Sequence, residues 1–203
     1  NLSDDVIKLS TEGYTGTVIQ PDIEIFALVD ENDPILNSMT QDFNFAEPIV
    51  DPIEFASQLV ETCKVKGGFG LAAPQVGVLA RVFVMGSGDD YVAFFNPKIL
   101  RSSEDTSIIA EGCLSFPMLA LKVERSSTIE VEYQDYNGVV RTGVFSGLSA
   151  HCFQHELDHL NGICYTKRAK PMALKMGLKK RKKFNALVDR YNKAQNKIQT
   201  VTN

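Results

Sequence analysis

At 203 residues, 44% hydrophobic and 23% charged, the chain is long enough for one well-packed domain with terminal additions. No apolar run approaches the ~20 residues of a membrane span, and the acidic start Asn1-Leu2-Ser3-Asp4-Asp5 resembles neither a secretory leader nor an Arg-rich transit peptide. The net charge of −4 hides a division: twelve of the 21 Lys/Arg but one of the 25 Asp/Glu, Asp189, lie from Thr166 onward, so an acidic body carries a basic tail. Such asymmetry marks either a nucleic-acid or ribosome contact or simply a solvated helix face, and the plainer reading is preferred.

Residues 1–22 lack periodicity and read as an N-terminal extension. Asp33-Pro34 through Met39 looks like a turn leading into a short segment. From Pro52 to Val65, Ile53, Ala56, Leu59, Val60 and Cys63 fall at helical spacing, with Asp51 placed to cap. Gly67, Gly68 and Gly70 end that helix and open a loop. Short β-rich runs follow at Arg81–Met85, Tyr91–Phe95, Val123–Arg125, Thr128–Tyr133 and Val139–Phe145, with Asn137-Gly138 as a hairpin turn between the last two. Ser149 to Asn161 predicts a helix that Gly162 stops. Pro171 sits in the first turn of a final helix, where Phe184, Leu187, Val188 and Tyr191 form an apolar stripe for docking. The expected fold is α+β: a single domain of short antiparallel strands around a central helix, with an additional C-terminal helix. It divides into an extension (1–22), a main domain (23–168) and a basic C-terminal helix (169–203).

All three histidines of the chain, His151, His155 and His159, fall in one stretch, each four positions after the last. The last two frame His155-Glu156-Leu157-Asp158-His159, an HExxH sequence. Residues four apart stack on one helix face, so His155 and His159 can present imidazoles to one metal ion, with Glu156 close enough to handle a proton of bound water. A hydrolytic site needs a third ligand. No histidine or glutamate follows His159, so that ligand is Asp189, a cysteine, or a residue upstream. The four cysteines, Cys63, Cys113, Cys152 and Cys164, show no disulfide-framework spacing, and a thiolate ligand requires a reducing compartment.

Two upstream stretches, Gly68-Phe69-Gly70-Leu71-Ala72-Ala73-Pro74-Gln75 and Glu111-Gly112-Cys113-Leu114-Ser115, precede Gln154-His155-Glu156-Leu157-Asp158-His159-Leu160. In that order they resemble the three motifs of the peptide deformylase family, GxGxAAPQ, EGCLS and QHExDHLxG, and the likeness covers about residues 25–168. The resemblance implies a metal-dependent amide hydrolase that removes the formyl group from the formyl-methionine of new polypeptides, in the cytoplasm or an organelle of bacterial ancestry. It implies Cys113 as the third ligand beside His155 and His159, with Cys152 as the rival cysteine. It implies one divalent ion, Fe(II) by preference, with Zn, Ni or Co able to substitute. Glu156 then accepts the proton of the attacking water and delivers it to the departing amine, while the Gln75 side chain and the Leu114 backbone N–H stabilise the oxyanion. Gly70 borders the groove where the substrate peptide lies as an added strand, and Gly112 belongs to the same rim. Glu111 is expected to orient the loop or Gln75.

Phe69, Leu148, His151 and Cys152 are expected to line the methionine side-chain pocket. In well-known relatives the position of His151 is usually aliphatic, so His151 either makes the pocket more polar or is a partly exposed helix residue without a role. Bacterial relatives use a C-terminal helix to approach the ribosome, and Lys179-Lys180-Arg181-Lys182-Lys183 is the stretch that would serve here. Two other classes stand beside this reading: a zinc endopeptidase using Asp189 as ligand, and a non-catalytic metal-stabilised module, for which Gln75 and Glu156 would have no use.

Overall fold

The first helix shows how local chemistry sets the architecture. In the computed structural model, which describes residues 23–201, α1 spans Pro52–Lys66. The Asp51 carboxylate accepts from the Ile53 and Glu54 N–H groups, Pro52 occupies the first turn, and Gly67 closes the helix at φ 71°. This is the predicted helix with both predicted ends.

Five antiparallel strands form one sheet in the order β1-β2-β3-β6-β7. They are β1 (Gly70–Ala72), β2 (Val82–Ser87), β3 (Asp90–Ser102), β6 (Thr128–Gln134) and β7 (Val140–Ser146). Between β3 and β6 the chain makes a separate two-stranded sheet of β4 (Thr106–Cys113) and β5 (Phe116–Ser126). Strand alternation sorts the core into two layers. Val82 and Val84 of β2 join Phe55, Ala56, Leu59 and Cys63 of α1 on one face. Phe83 and Met85 join Ala150, Phe153, Leu157 and Leu160 of α2 (Gly147–Leu160) on the other. The α+β expectation, with antiparallel strands and the HExxH helix packed on them, is the observed architecture. The sheet therefore lies between two helices, and α2 carries its motif along a fully supported face.

Three stretches differ from the sequence reading. Gly70–Ala72, expected as loop, pairs with Phe83–Met85 as the edge strand β1. Strand β3 runs on past Phe95 through Asn96-Pro97, which looks like a breaker. Asn96 takes φ 49° at a register shift, its side chain accepts from the Phe43 N–H at 2.6 Å and donates to the Phe43 carbonyl at 3.0 Å, and the strand resumes. The β4–β5 hairpin is far longer than the expected Val123–Arg125, because the inward positions of β4, Ser107, Ile109, Glu111 and Cys113, are mostly polar and only partly buried and so carry no apolar alternation.

The C-terminal helix α3 (Pro171–Val201) lies beyond a short 3-10 turn at Tyr165–Lys167. The expected docking stripe does not dock: Phe184, Leu187, Val188 and Tyr191 are 42%, 61%, 37% and 63% exposed. The helix instead meets β5 in its first turns, through Leu174 and Gly177, and an Arg181–Glu31 ion pair at 2.6 Å tethers its next turn. At about 1.5 Å per residue α3 is roughly 45 Å long, longer than the hairpin that supports it. A Cβ on Gly177 would come within 2.6 Å of Leu121 Cδ2. Gly177→Val is therefore expected to lower stability by about 1–3 kcal/mol in urea denaturation, with the far-UV spectrum of the folded protein unchanged.

Candidate metal centre

Cys113 ends β4, and Leu114-Ser115 form the tight turn to β5 that brings the thiol to the inner side of the hairpin. His155 and His159, one turn apart on α2, are 7% and 1% exposed. The three potential ligand atoms lie within 4.8 Å of one another, and Cys113 Sγ is 3.2 Å from His159 Nε2. Asp189 is exposed on α3, and the ligand cluster among the described residues does not include it. Cys63 and Cys164 are buried in the body, and Cys152 contacts the Phe69 carbonyl at 3.6 Å, outside that cluster.

The partner of each side chain determines its proton. Glu111 Oε2 is 2.9 Å from His155 Nδ1, so that nitrogen donates and Nε2 is the atom left to take a metal. Burial pulls His155 down, but hydrogen bonds to Cys113 and Glu111 and the charge of Glu156 outweigh it and raise it to about 10. Those surroundings favour a cation, whether a proton or a metal ion. Burial holds His159 well below its usual value, helped by the positive charges of His155 and Arg125, so it stays neutral. Among the described residues, Glu156 Oε2 and His159 Nδ1 are buried without a hydrogen-bond partner. A thiolate and two imidazoles with such unpaired neighbours fit a transition-metal ion such as Fe, Zn, Co or Ni, and not Mg or Ca.

Expected to orient the loop or Gln75, Glu111 directs its hydrogen bonds to Arg125, His151 and His155 and not to Gln75, and it sits 8% exposed between helix and hairpin. Arg125 of β5 donates to both its oxygens at 2.6 and 3.0 Å and to Asp158 of α2 at 2.8 Å; Arg168 grips the far side of Asp158 at 2.7 Å. Burial would raise Glu111, but its bonds with His155 and Arg125 prevail and take it down to about 2. Arg125, Asp158 and Arg168 were missed from sequence. The signal for Arg125 was present: it follows Leu119, Leu121 and Val123 at alternate, inward positions of β5, where an arginine must have buried partners. Tyr165 was missed too; its ring lies 5.4 Å from that of His155, and its hydroxyl donates to the Leu119 carbonyl at 2.7 Å.

Gln75 is 1% exposed, with its amide orientation forced. Its carbonyl accepts from the Ala72 N–H at 2.8 Å, so the NH2 end faces Ser115 Oγ at 3.1 Å and Cys113 Sγ at 3.4 Å. Glu156 is 4% exposed, and burial, aided by the charge of Glu111, pushes it up to about 7. A Cβ on Gly70 would fall 2.5 Å from Glu156 Oε1, so the glycine makes room for that carboxylate. Gly70, Gln75, Cys113, Leu114, His155 and Glu156 open on one cleft of about 610 Å³. Phe69, Gly112, Leu148, His151 and Cys152 line the same cleft, so every residue expected at the site borders it except the deeper His159. Phe69 and Leu148 are 61% and 58% exposed at its mouth, whereas His151 is 1% exposed, not the partly exposed residue of the plainer expectation.

Comparisons with known proteins agree with this geometry. A family model described as polypeptide deformylase matches residues 25–175. A peptide deformylase of Thermotoga neapolitana is 43% identical over 150 residues, covering 73% of this chain and 89% of that protein. One of Finegoldia magna is 43% identical over 139 residues, covering 67% and 84%. Among solved structures, the peptide deformylase of Thermotoga maritima superposes with a TM-score of 0.69 at 36% identity, covering 73% of this chain and 99% of that one. That of Synechococcus elongatus, solved in complex with actinonin, gives 0.72 at 34%, covering 76% and 86%.

Arg125→Met leaves two buried carboxylates without their shared cation. The expected loss is about 3–5 kcal/mol in urea denaturation of the metal-free protein; a loss below 1 kcal/mol would mean the cluster is not what joins hairpin to helix.

Proposed function

The chain belongs to the polypeptide deformylase family, hydrolases of N-formyl peptides, and from that premise we propose that it works through one divalent metal ion held by Cys113, His155 and His159. The observation that carries this reading is the convergence of three distant motifs: a thiol, two imidazoles and the donating end of a locked amide meet in one cleft. When bound, the ion supplies Lewis acidity, acidifying water and polarising the formyl carbonyl. Fe(II) is the native ion of this proposal, and the mixed donor set also accepts Zn, Ni or Co.

The protein's own groups do the rest. Glu156, near neutrality through burial, takes the proton of the attacking water and passes it to the departing amine. The Gln75 NH2 and the Leu114 N–H stabilise the oxyanion, one such donor being worth ~3–4 kcal/mol of barrier. Because β1 is the open edge of its sheet, the peptide of an N-formyl-methionyl substrate adds as a strand along Gly70, with Gly112 on the facing rim. Phe69, Leu148, His151 and Cys152 take the methionine side chain. The reading places the chain where formylated polypeptides are made and thiols stay reduced, in the cytoplasm or an organelle of bacterial ancestry; no described helix is long and apolar enough to cross a membrane. Lys179, Lys180, Lys182 and Lys183 are exposed on α3 while Arg181 is held by Glu31, which supports a salt-sensitive ribosome contact through the lysines.

Anaerobically prepared Fe(II) protein should release formate from a formyl-Met tripeptide, and Glu156→Gln should lower kcat by about 10²–10⁴-fold while still binding metal. Absence of turnover from fully loaded parent protein would reject the reading. Gly70→Ala displaces Glu156 and is expected to cut kcat by up to about 10²-fold at unchanged metal content; full activity would mean that Glu156 need not occupy its present position.

A further inference from the structure

His151 is the one histidine outside the ligand set, yet it is as buried as His159 and fully engaged. Its Nε2 lies 2.9 Å from Ser107 Oγ on β4, and its Nδ1 lies 3.2 Å from Glu111 Oε1. The second oxygen of the same carboxylate, Oε2, takes His155 Nδ1 at 2.9 Å. Glu111 is thus shared by two imidazoles and by the Arg125 guanidinium. An ionised carboxylate can only accept, so both Nδ1 atoms carry hydrogen. In the neutral ring of His151 the Nε2 is then the lone pair, and the Ser107 hydroxyl donates to it. One chain of protons follows: Ser107 to His151, His151 to Glu111, and His155 to Glu111. At its end the Glu111 carboxylate fixes Nδ1 of His155 as a donor, which leaves Nε2 as the atom for a metal ion.

We propose that His151, braced by Ser107, is a positioning residue for His155: it fixes the rotation of the Glu111 carboxylate that orients this imidazole toward the metal. The inference rests on the metal reading of Cys113, His155 and His159. It also separates two roles for His151. Both ring nitrogens are taken by protein partners, so the ring offers carbon to the cleft and adds no hydrogen-bonding group for a substrate side chain. His151 therefore tunes the metal ligand and leaves the choice of the first residue apolar. Ser107 acts only through His151, and its loss should have the smaller effect.

The test compares parent, His151→Ile, His151→Asn and Ser107→Ala proteins, stripped of metal and titrated with Zn(II) against a chromophoric chelator. Formyl peptides with methionine, norleucine or glutamine first are assayed alongside. His151→Ile is expected to weaken Zn(II) binding by about tenfold, the low end of what outer partners of a ligating histidine contribute. Asparagine can place an N–H near the Nδ1 position, so His151→Asn should recover most of that loss. Ser107→Ala should lie between parent and His151→Ile. The glutamine peptide should remain well below the methionine and norleucine peptides in kcat/KM for parent and His151→Ile alike. Equal Zn(II) affinity in parent and His151→Ile would overturn the proposal, as would a change in peptide preference without a change in affinity. Should His151→Ile fail to fold, the order of Ser107→Ala and His151→Asn against parent decides: unchanged affinity in both overturns it. A parent that binds no Zn(II) would instead overturn the metal reading on which it rests.

Discussion

The site depends on one buried ionic junction. Cys113 lies on a two-stranded sheet that shares no strand pairing with the five-stranded sheet, whereas His155 and His159 ride on the helix packed against the latter. Arg125 bridges the two bodies by holding Glu111 of the hairpin and Asp158 of the helix, all three at most 8% exposed. Burial alone would favour a neutral Glu111, but the surrounding donors keep it ionised, and that ionised carboxylate holds the Nδ1–H of His155. Such a cluster need not stabilise the fold more than apolar packing would. Its value is geometric: it sets where the thiol stands relative to the imidazoles, which apolar contact, being non-directional, does less strictly.

The other side of the cleft is built by backbone economy. The edge strand β1 runs straight into a 3-10 turn, Ala73–Val76, and the Gln75 carbonyl folds back onto the Ala72 N–H at the start of that turn. This local bond turns the amide nitrogen toward Cys113, the preorganised arrangement that the oxyanion role proposed for Gln75 would require. Gly70, two residues earlier, leaves the space that the Glu156 carboxylate occupies. Above it, the Tyr91 hydroxyl donates to the Gly68 carbonyl at 2.7 Å and steadies the loop. Strand, turn and helix thus converge on one volume through short-range contacts.

Much of the site was legible because its parts are local in sequence. Two histidines four apart need only a helix to share a face, and α2 supplies it from Gly147 to Leu160. Cys113 and Gln75 were legible through a motif resemblance, since nothing in their spacing alone brings them to the helix. What escaped were partners distant in sequence. Arg125 interrupts an apolar alternation, but that interruption does not say which acids answer it. The β4 strand escaped because its inward face holds Ser107, Glu111 and Cys113, polar or thiol side chains that give no apolar alternation. The stripe Phe184–Tyr191 has helical period, yet period shows only that apolar side chains share a face; here the body ends before that face can be covered. His151 was read as a pocket residue, and its hydrogen bonds with Ser107 and Glu111 required the fold.

The most direct test of this account is the coordination shell itself, by X-ray absorption at the Zn edge of protein loaded with one equivalent. The account predicts one sulfur near 2.3 Å and two imidazole nitrogens near 2.0–2.1 Å, with the sulfur lost in Cys113→Ala. A shell without sulfur, or a sulfur that persists in Cys113→Ala, would contradict it.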